Sequence, residues 1–215
     1  MRLTNPRPPA YLRRPAGHGV GRGPTVDRLS NGQFGDIHVP GMNDGAYRTT
    51  FEEALAKYAL RKGLVVDTRF NGGGDLVADL AMFLSGKRFF DYTIDTRSNG
   101  FEPNCRWTWP SVSLANEAND SDGHCYAYMY KLLKLGPLVG MRVPGTCTFA
   151  GWDMLQDGLR SGVPGVGVKD STTGKYLENQ QTEPDIRLMN EYHVVITPKD
   201  QQLEAAVAEL MKLVK

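Results

Sequence analysis

Ser121 stands in the stretch Asn116-Glu-Ala-Asn-Asp-Ser121-Asp-Gly-His-Cys-Tyr-Ala-Tyr-Met-Tyr-Lys131, where a hydroxyl meets the predicted start of a helix. The turn-forming run Asn119 to Gly123 follows the apolar-polar stretch Ser111 to Asn116. After it, Tyr126, Met129, Tyr130 and Leu133 fall at helical spacing. A hydroxyl at a helix mouth sits among unpaired backbone N–H groups and the positive end of the helix dipole, which favour a developing negative charge. That is the setting of a nucleophilic serine. Ser, Asp and Asn are also the preferred helix N-caps, and from this segment alone capping is the commoner reading.

A second segment supplies the other half of such chemistry. In Gly63-Leu-Val-Val-Asp67-Thr-Arg69-Phe-Asn71-Gly72-Gly73-Gly74-Asp75-Leu-Val, the run Leu64 to Val66 reads as a short buried strand. Asp75 is expected to cap a helix whose apolar face is Leu76, Leu80, Met82, Phe83 and Leu84. Three glycines between them permit positive φ and close approach of a ligand to the amides. There is no Gly-x-Gly-x-x-Gly, and no Lys-Ser/Thr follows the glycines, so neither a dinucleotide fingerprint nor a phosphate loop is supported. An amide-rich turn of this kind can form half of an oxyanion hole.

Four segments occur in order: Asp67 to Gly74, Asn116 to Gly123, Leu138-Val-Gly140, and Leu177-Glu178-Asn-Gln-Gln-Thr-Glu-Pro184-Asp185. Together they resemble the catalytic core of the tail-specific serine peptidases, the C-terminal processing peptidases included, and most of all the tricorn protease branch. The likeness runs from about Leu29 to the C-terminus. It implies an α/β fold with a crotonase/ClpP-like layered ββα core. It also implies Ser121 as nucleophile and the amides of Asp122 and of the glycine turn, Gly72 and Gly73, as oxyanion donors. Glu178 would be the carboxylate of the charge network around a catalytic histidine. The expected substrates are peptides or unfolded proteins and the expected assembly is a homo-oligomer. No cofactor and no metal are implied.

The base is the open position. The other branch of the family uses a Ser–Lys dyad, with its lysine just past the Val-Gly strand, where this chain has Thr146 and Cys147. Lys131 and Lys134 fall on the helix itself, away from its mouth. A Ser-His-Glu arrangement is therefore expected, the base taking the serine proton and the carboxylate orienting that base. In the tricorn branch the histidine comes from a domain upstream of this core, before a PDZ domain, and this chain is expected to carry neither. Of its own histidines, His18 lies in a Gly/Pro/Arg-rich tail, and His38 and His193 read as strand faces. His124 is the remaining candidate base, three residues along the helix and facing away from the hydroxyl. Two other readings stay open. One is a degenerate core kept for peptide binding or assembly. The other is acyl-thioester chemistry on the same two-amide hole, disfavoured by a serine at the nucleophile's position.

Composition narrows the classes further. The 215 residues, with 25 basic and 24 acidic side chains and a net charge of +1, suit one domain with no polyanion partner, so no nucleic acid is expected. No run approaches the ~20 apolar residues of a membrane span, and the N-terminus has no apolar h-region. Three cysteines, Cys105, Cys125 and Cys147, lack metal-site spacing and suit a reducing, cytoplasmic compartment. Cys125 beside His124 hints at a thiol nucleophile, but adjacent helix positions point apart. Residues 1–28, with six arginines and five prolines, are expected to be a disordered basic tail, and residues 29–215 the core.

The elements that must position these residues alternate. Strands are expected at Gln33–Val39, Leu64–Val66, Arg88–Thr96 and Leu138–Met141, and helices at Thr49–Lys62, after the glycine turn, after Ser121 and at Asp200–Val214. Residues 145–173 read as short Gly-rich strands, and Trp107 and Trp109 as candidate pocket residues. Alternating β and α elements argue for an α/β layered core.

Overall fold

The computed structural model describes residues 22–214. Five short strands form one parallel sheet: β1 (Phe34–His38), β2 (Gly63–Asp67), β5 (Ser111–Ala115), β6 (Leu138–Gly140) and β9 (Ile186–Arg187). Their spatial order is β1-β2-β5-β6-β9. Every residue of β2 and β5 is buried, as the strands of a parallel sheet covered on both faces must be.

One face of the sheet, with Ile37, Leu64 and Val66, packs against α2 (Asp44–Glu52), α3 (Val77–Leu84) and α4 (Asp122–Leu132) through Ala46, Leu80, Phe83, Tyr126 and Tyr130. The opposite face, with Val65, Val112, Leu114 and Val139, packs against α1 (Arg22–Ser30) and α6 (Gln201–Leu213) through Val26, Leu203, Val207 and Leu210. Serines of β5 face α4, where Ser111 Oγ lies 2.8 Å from Tyr130 Oη and Ser113 Oγ 3.3 Å from Tyr126 Oη. These pairs satisfy hydroxyls that would otherwise be costly inside a core. The α/β layered core is as expected.

Several boundaries differ from the sequence reading. The ordered core begins earlier than residue 29, because α1 starts at Arg22 and its Val26 is fully buried against α6 and the sheet. The remainder of the expected tail, residues 1–21 with His18, lies outside the described residues. The second helix starts at Asp44, since Asn43 accepts the Ala46 N–H at 3.0 Å as a side-chain cap, and it widens into a π turn over Glu53–Lys57. Leu76, not Asp75, is the N-cap residue of α3, and Met82 points outward, 52% exposed. The segment around His193 is a short helix, α5 (Tyr192–Val195), rather than a strand.

Two antiparallel hairpins stand off the core. The strand expected at Arg88–Thr96 is β3 (Phe90–Ile94), paired with β4 (Arg97–Glu102). The Gly-rich stretch contributes β7 (Thr148–Met154) and β8 (Arg160–Gly167). Among the described residues no helix is long and apolar enough to cross a membrane.

Candidate active site

The loops that leave the C-terminal ends of β2, β5 and β6 meet at one rim of the sheet, the usual place for a ligand site in an open parallel sheet. Buried amides and one threonine join the first two loops. Thr68 donates its N–H and its hydroxyl to the Leu114 carbonyl, at 2.9 and 2.8 Å. Asn119 Nδ2 donates to Thr68 Oγ1, and Asn116 Oδ1 accepts the Phe70 N–H. Asn71 is fully buried and is the hub of the glycine turn. Its Nδ2 donates to the Val39 carbonyl at 2.9 Å, its Oδ1 accepts the Gly73 N–H at 2.8 Å, and its carbonyl accepts the Asp120 N–H at 2.9 Å. Gly73, at φ +89°, then lies against Ser121, so close that an added Cβ would sit 2.6 Å from Ser121 Cβ and 3.0 Å from its Oγ.

Ser121 precedes α4 as its N-cap residue, yet its side chain makes no capping bond. Its backbone occupies φ 52°, ψ −122°, a conformation sparsely populated by any residue but glycine. The capping interpretation therefore fails on geometry. The chain turns sharply from the β5 loop into α4 with the hydroxyl unspent, in the manner of a strained nucleophile turn. The Ser121 N–H donates to Thr146 Oγ1 at 2.9 Å. Thr146 occupies the position where a lysine was weighed, while Lys131 is drawn away to Asp185 at 2.9 Å and to the Glu183 carbonyl.

Gly72, Gly73, Gly74, Asp120, Ser121, Thr146, Thr148 and Glu178 line a cleft of about 630 Å³, with Phe149, Ala150, Trp152 and Pro164 of the β7–β8 hairpin as its apolar wall. Glu178 is exposed there, and its Oε2 accepts the Thr148 hydroxyl at 2.6 Å. The expected donor Gly73 is corrected in part: its N–H is already directed at Asn71 Oδ1. Among the described residues the amides of Gly72, Gly74 and Asp122 donate to no other residue. The Asp122 side chain is buried and accepts the Leu76 N–H at 2.7 Å, so it caps α3 from across the site. Burial, reinforced by the neighbouring Asp75 carboxylate, pushes the Asp122 carboxyl up to about 6, against the pull of the Leu76 and Val77 amides.

His124 does not face the cleft. Its ring is fully buried, Nδ1 accepts the Thr146 N–H at 3.2 Å, and Nε2 lies 3.1 Å from Thr182 Oγ1. An accepting Nδ1 fixes the neutral tautomer with its proton on Nε2, and burial holds the ring below the ordinary histidine range. Both nitrogens are thus committed to the scaffold. His38 ends β1, and His193 is exposed beside Glu191 at 3.2 Å. Among the described residues no histidine lines the cleft. Trp107 is buried in the core and Trp109 lies outside the cleft; the tryptophan that lines it is Trp152, hidden in sequence within a Gly-rich stretch. The contacts of 146–148 with the site carry no sequence signal, because nothing local marks a partner 25 residues from Ser121. Cys125 and Cys147, read as reduced, are joined as a disulfide, while Cys105 is free and exposed.

Residues 33–188 match Peptidase family S41. The chain belongs to that family. Similarity to the tricorn branch is equally direct. The tricorn protease of Thermoplasma volcanium is 29% identical over 194 residues, covering 87% of this chain and 18% of that protein. A tricorn protease homolog of Saccharolobus solfataricus is 30% identical over 191 residues, with the same two coverages of 87% and 18%. Among solved structures, the tricorn protease superposes with a TM-score of 0.78 at 26% identity over 91% of this chain and 19% of that one. The photosystem II D1 C-terminal processing protease, at 21% identity and a TM-score of 0.55 over 81% of this chain and 46% of that one, shares the fold. This S41 chain spans about a fifth of the length of the curated tricorn relatives it matches.

Proposed function

We propose that this chain is the catalytic core of a serine endopeptidase that cleaves peptides through an acyl-enzyme on Ser121. The observation that carries the reading is the Ser121 turn: a half-buried hydroxyl at a helix mouth, not used for capping, facing a cleft shared with the glycine turn and Glu178. In this reading Ser121 Oγ attacks the scissile carbonyl and its proton passes to a base. The developing oxyanion is held by the Asp122 N–H at the start of α4 and by an amide of the glycine turn other than that of Gly73. Glu178 orients the base, with Thr148 fixing one of its oxygens. Collapse of the intermediate expels the amine, and water releases the acyl group by the reverse route.

In this reading the base is a histidine brought by a separate module; the committed ring of His124, and a cleft that no histidine lines among the described residues, support it. Peptides or unfolded proteins are the substrates, and no nucleic acid is involved. Exposed apolar side chains on and beside β3, with Phe89 at 64%, Phe90 at 61% and Ile94 at 59%, support a homo-oligomer.

The isolated chain is therefore a very poor peptidase. An oxyanion hole alone leaves a residual ~10³-fold over water. Supplying the histidine-bearing upstream module, fused or in trans, raises peptide hydrolysis by orders of magnitude, and Ser121→Ala abolishes the gain. In that assembly Glu178→Gln costs on the order of 10²-fold or more in rate with little change in melting temperature. Turnover that survives Ser121→Ala would remove the nucleophile assignment. The absence of a histidine from the cleft among the described residues favours one second reading, a degenerate core that binds peptides or organises an assembly. A fluorophosphonate probe applied to the complemented assembly separates the two, because a serine without a base is not labelled.

A further inference from the structure

Four consecutive residues cross the mouth of α4, and each is tied to a different part of the site. Gly145 packs on the 179–180 backbone, where its carbonyl accepts the Asn179 N–H at 2.8 Å and an added Cβ would lie 2.4 Å from Gln180 N. Thr146 accepts the Ser121 N–H through Oγ1 at 2.9 Å and donates its own N–H to His124 Nδ1 at 3.2 Å. Cys147 is bonded to Cys125, one helical turn beyond Ser121. Thr148 donates its hydroxyl to Glu178 Oε2. The elbow conformation at Ser121, φ 52° and ψ −122°, is one the chain does not keep without support, and this strap supplies the acceptor of the Ser121 N–H.

We infer that Thr146 is a positioning residue that sets the Ser121 turn, and that the Cys125–Cys147 bond clamps it there and makes the site sensitive to thiol reductants. Both sulfurs lie within a small apolar cluster with Leu177, packed by Val77, Tyr128 and Val168, so the bond is reached only when the strap opens. A dithiol reductant then breaks the S–S bond. Two electrons and two protons pass to Cys125 and Cys147, leaving two thiols, and the dithiol closes to its own disulfide. With the tether gone, Thr146 and Thr148 move as a free loop. The Ser121 amide loses its acceptor, His124 loses the donor at Nδ1, and Glu178 loses its hydroxyl partner.

The inference depends on the peptidase reading only for its activity arm, so the first readout is structural. In the full chain, amide hydrogen exchange across 118–124 is compared for the untreated protein, the dithiothreitol-treated protein, Thr146→Val, Thr146→Ser and Cys125→Ala/Cys147→Ala. Alkylation of the untreated protein marks Cys105 alone. The Ser121 amide exchanges roughly tenfold faster in the treated protein, in Thr146→Val and in the double cysteine variant, while Thr146→Ser behaves like the parent. Amides of β2 stay protected in all of them, which separates a loosened strap from global unfolding. In the assembly complemented with the histidine module, Thr146→Val and the double variant lower kcat on the order of 10²-fold with KM little changed, and Thr146→Ser restores it. Unchanged Ser121 exchange in both Thr146→Val and the reduced protein would overturn the inference, as would faster exchange with normal kcat. Faster exchange in an assembly whose parent form has no Ser121-dependent turnover supports the strap and counts instead against the peptidase reading.

Discussion

Asn71 touches three segments, two through its side chain and one through its backbone carbonyl, and loss of the side chain should be felt in the first two. Asn71→Ala leaves the Val39 carbonyl and the Gly73 N–H without partners in a buried setting. The expected cost is about 1–3 kcal/mol per stranded group, read as a shifted denaturant midpoint, with a fall in turnover because the glycine turn loses its anchor. Gly73 separates those two effects. At φ +89° any side chain costs about 1–2 kcal/mol of backbone strain. A Cβ there also meets Ser121 itself. Gly73→Ala should therefore lower activity on the order of 10²-fold, well beyond what its modest drop in melting temperature explains; activity that falls only in step with stability would assign the glycine to the turn alone. The sequence made Ser121 and the glycines visible because residue type and helix onset are local signals. It could not show φ at Ser121, the bond from Gly73 to Asn71, or Thr146, since each is decided by groups brought together from distant positions.

Helix α3 begins under a carboxylate that belongs to α4. Asp75 looked like the cap by adjacency, but Asp122, 46 residues beyond Leu76, accepts the Leu76 N–H. The swap has a measurable signature in pH. Folded, the Asp122 carboxyl titrates near 6, above its ordinary 3.8. Below about pH 4 both states hold the proton; between about 4 and 6 the folded state keeps one that the unfolded state has lost. The stability this group supplies is thus full on the acid side and is lost as pH rises through about 6. Melting curves of the parent and Asp122→Asn should show the parent's advantage shrinking from about pH 4 to about pH 7; a constant difference would place the carboxyl in an ordinary environment. The apolar run of β2 and the helical spacing of α4 and α6 announced themselves, because both faces of that strand and the apolar positions of those helices are buried, whereas the alternating Ser-Val-Ser-Leu-Ala of β5 did not read as a buried strand. The strands of the hairpins were legible over 88–96 and 145–173, but their pairing was not, because β3 is exposed along its whole length and its residues follow no core pattern.

Across the whole molecule one ion cluster spans the chain. Arg69 makes a two-pronged contact with Asp67, at 3.0 and 2.7 Å, and a second with Asp200, at 2.9 and 2.7 Å, while Gln202 accepts at 2.9 Å. Burial alone would raise the Asp200 carboxyl, but the Arg69 hydrogen bonds and charge overcome it and hold the group at about 2. Its contribution is present above the ordinary 3.8 and lost as pH falls through about 2. Arg69→Met removes the cation facing the fully buried Asp67, leaving the backbone N–H of residue 69 on its Oδ1, and should cost about 3–5 kcal/mol in chemical denaturation. A loss below about 1 kcal/mol would show that Asp67 finds another partner. The same cluster sets an order of events in biosynthesis. Asp67 and Arg69 leave the ribosome long before Asp200 and Gln202, so the loop that carries the glycine turn holds its own ion pair first and gains the second carboxylate only with α6. A chain that stops short of residue 200 therefore leaves the Arg69 guanidinium with Asp67 as its partner and without the two contacts that α6 supplies.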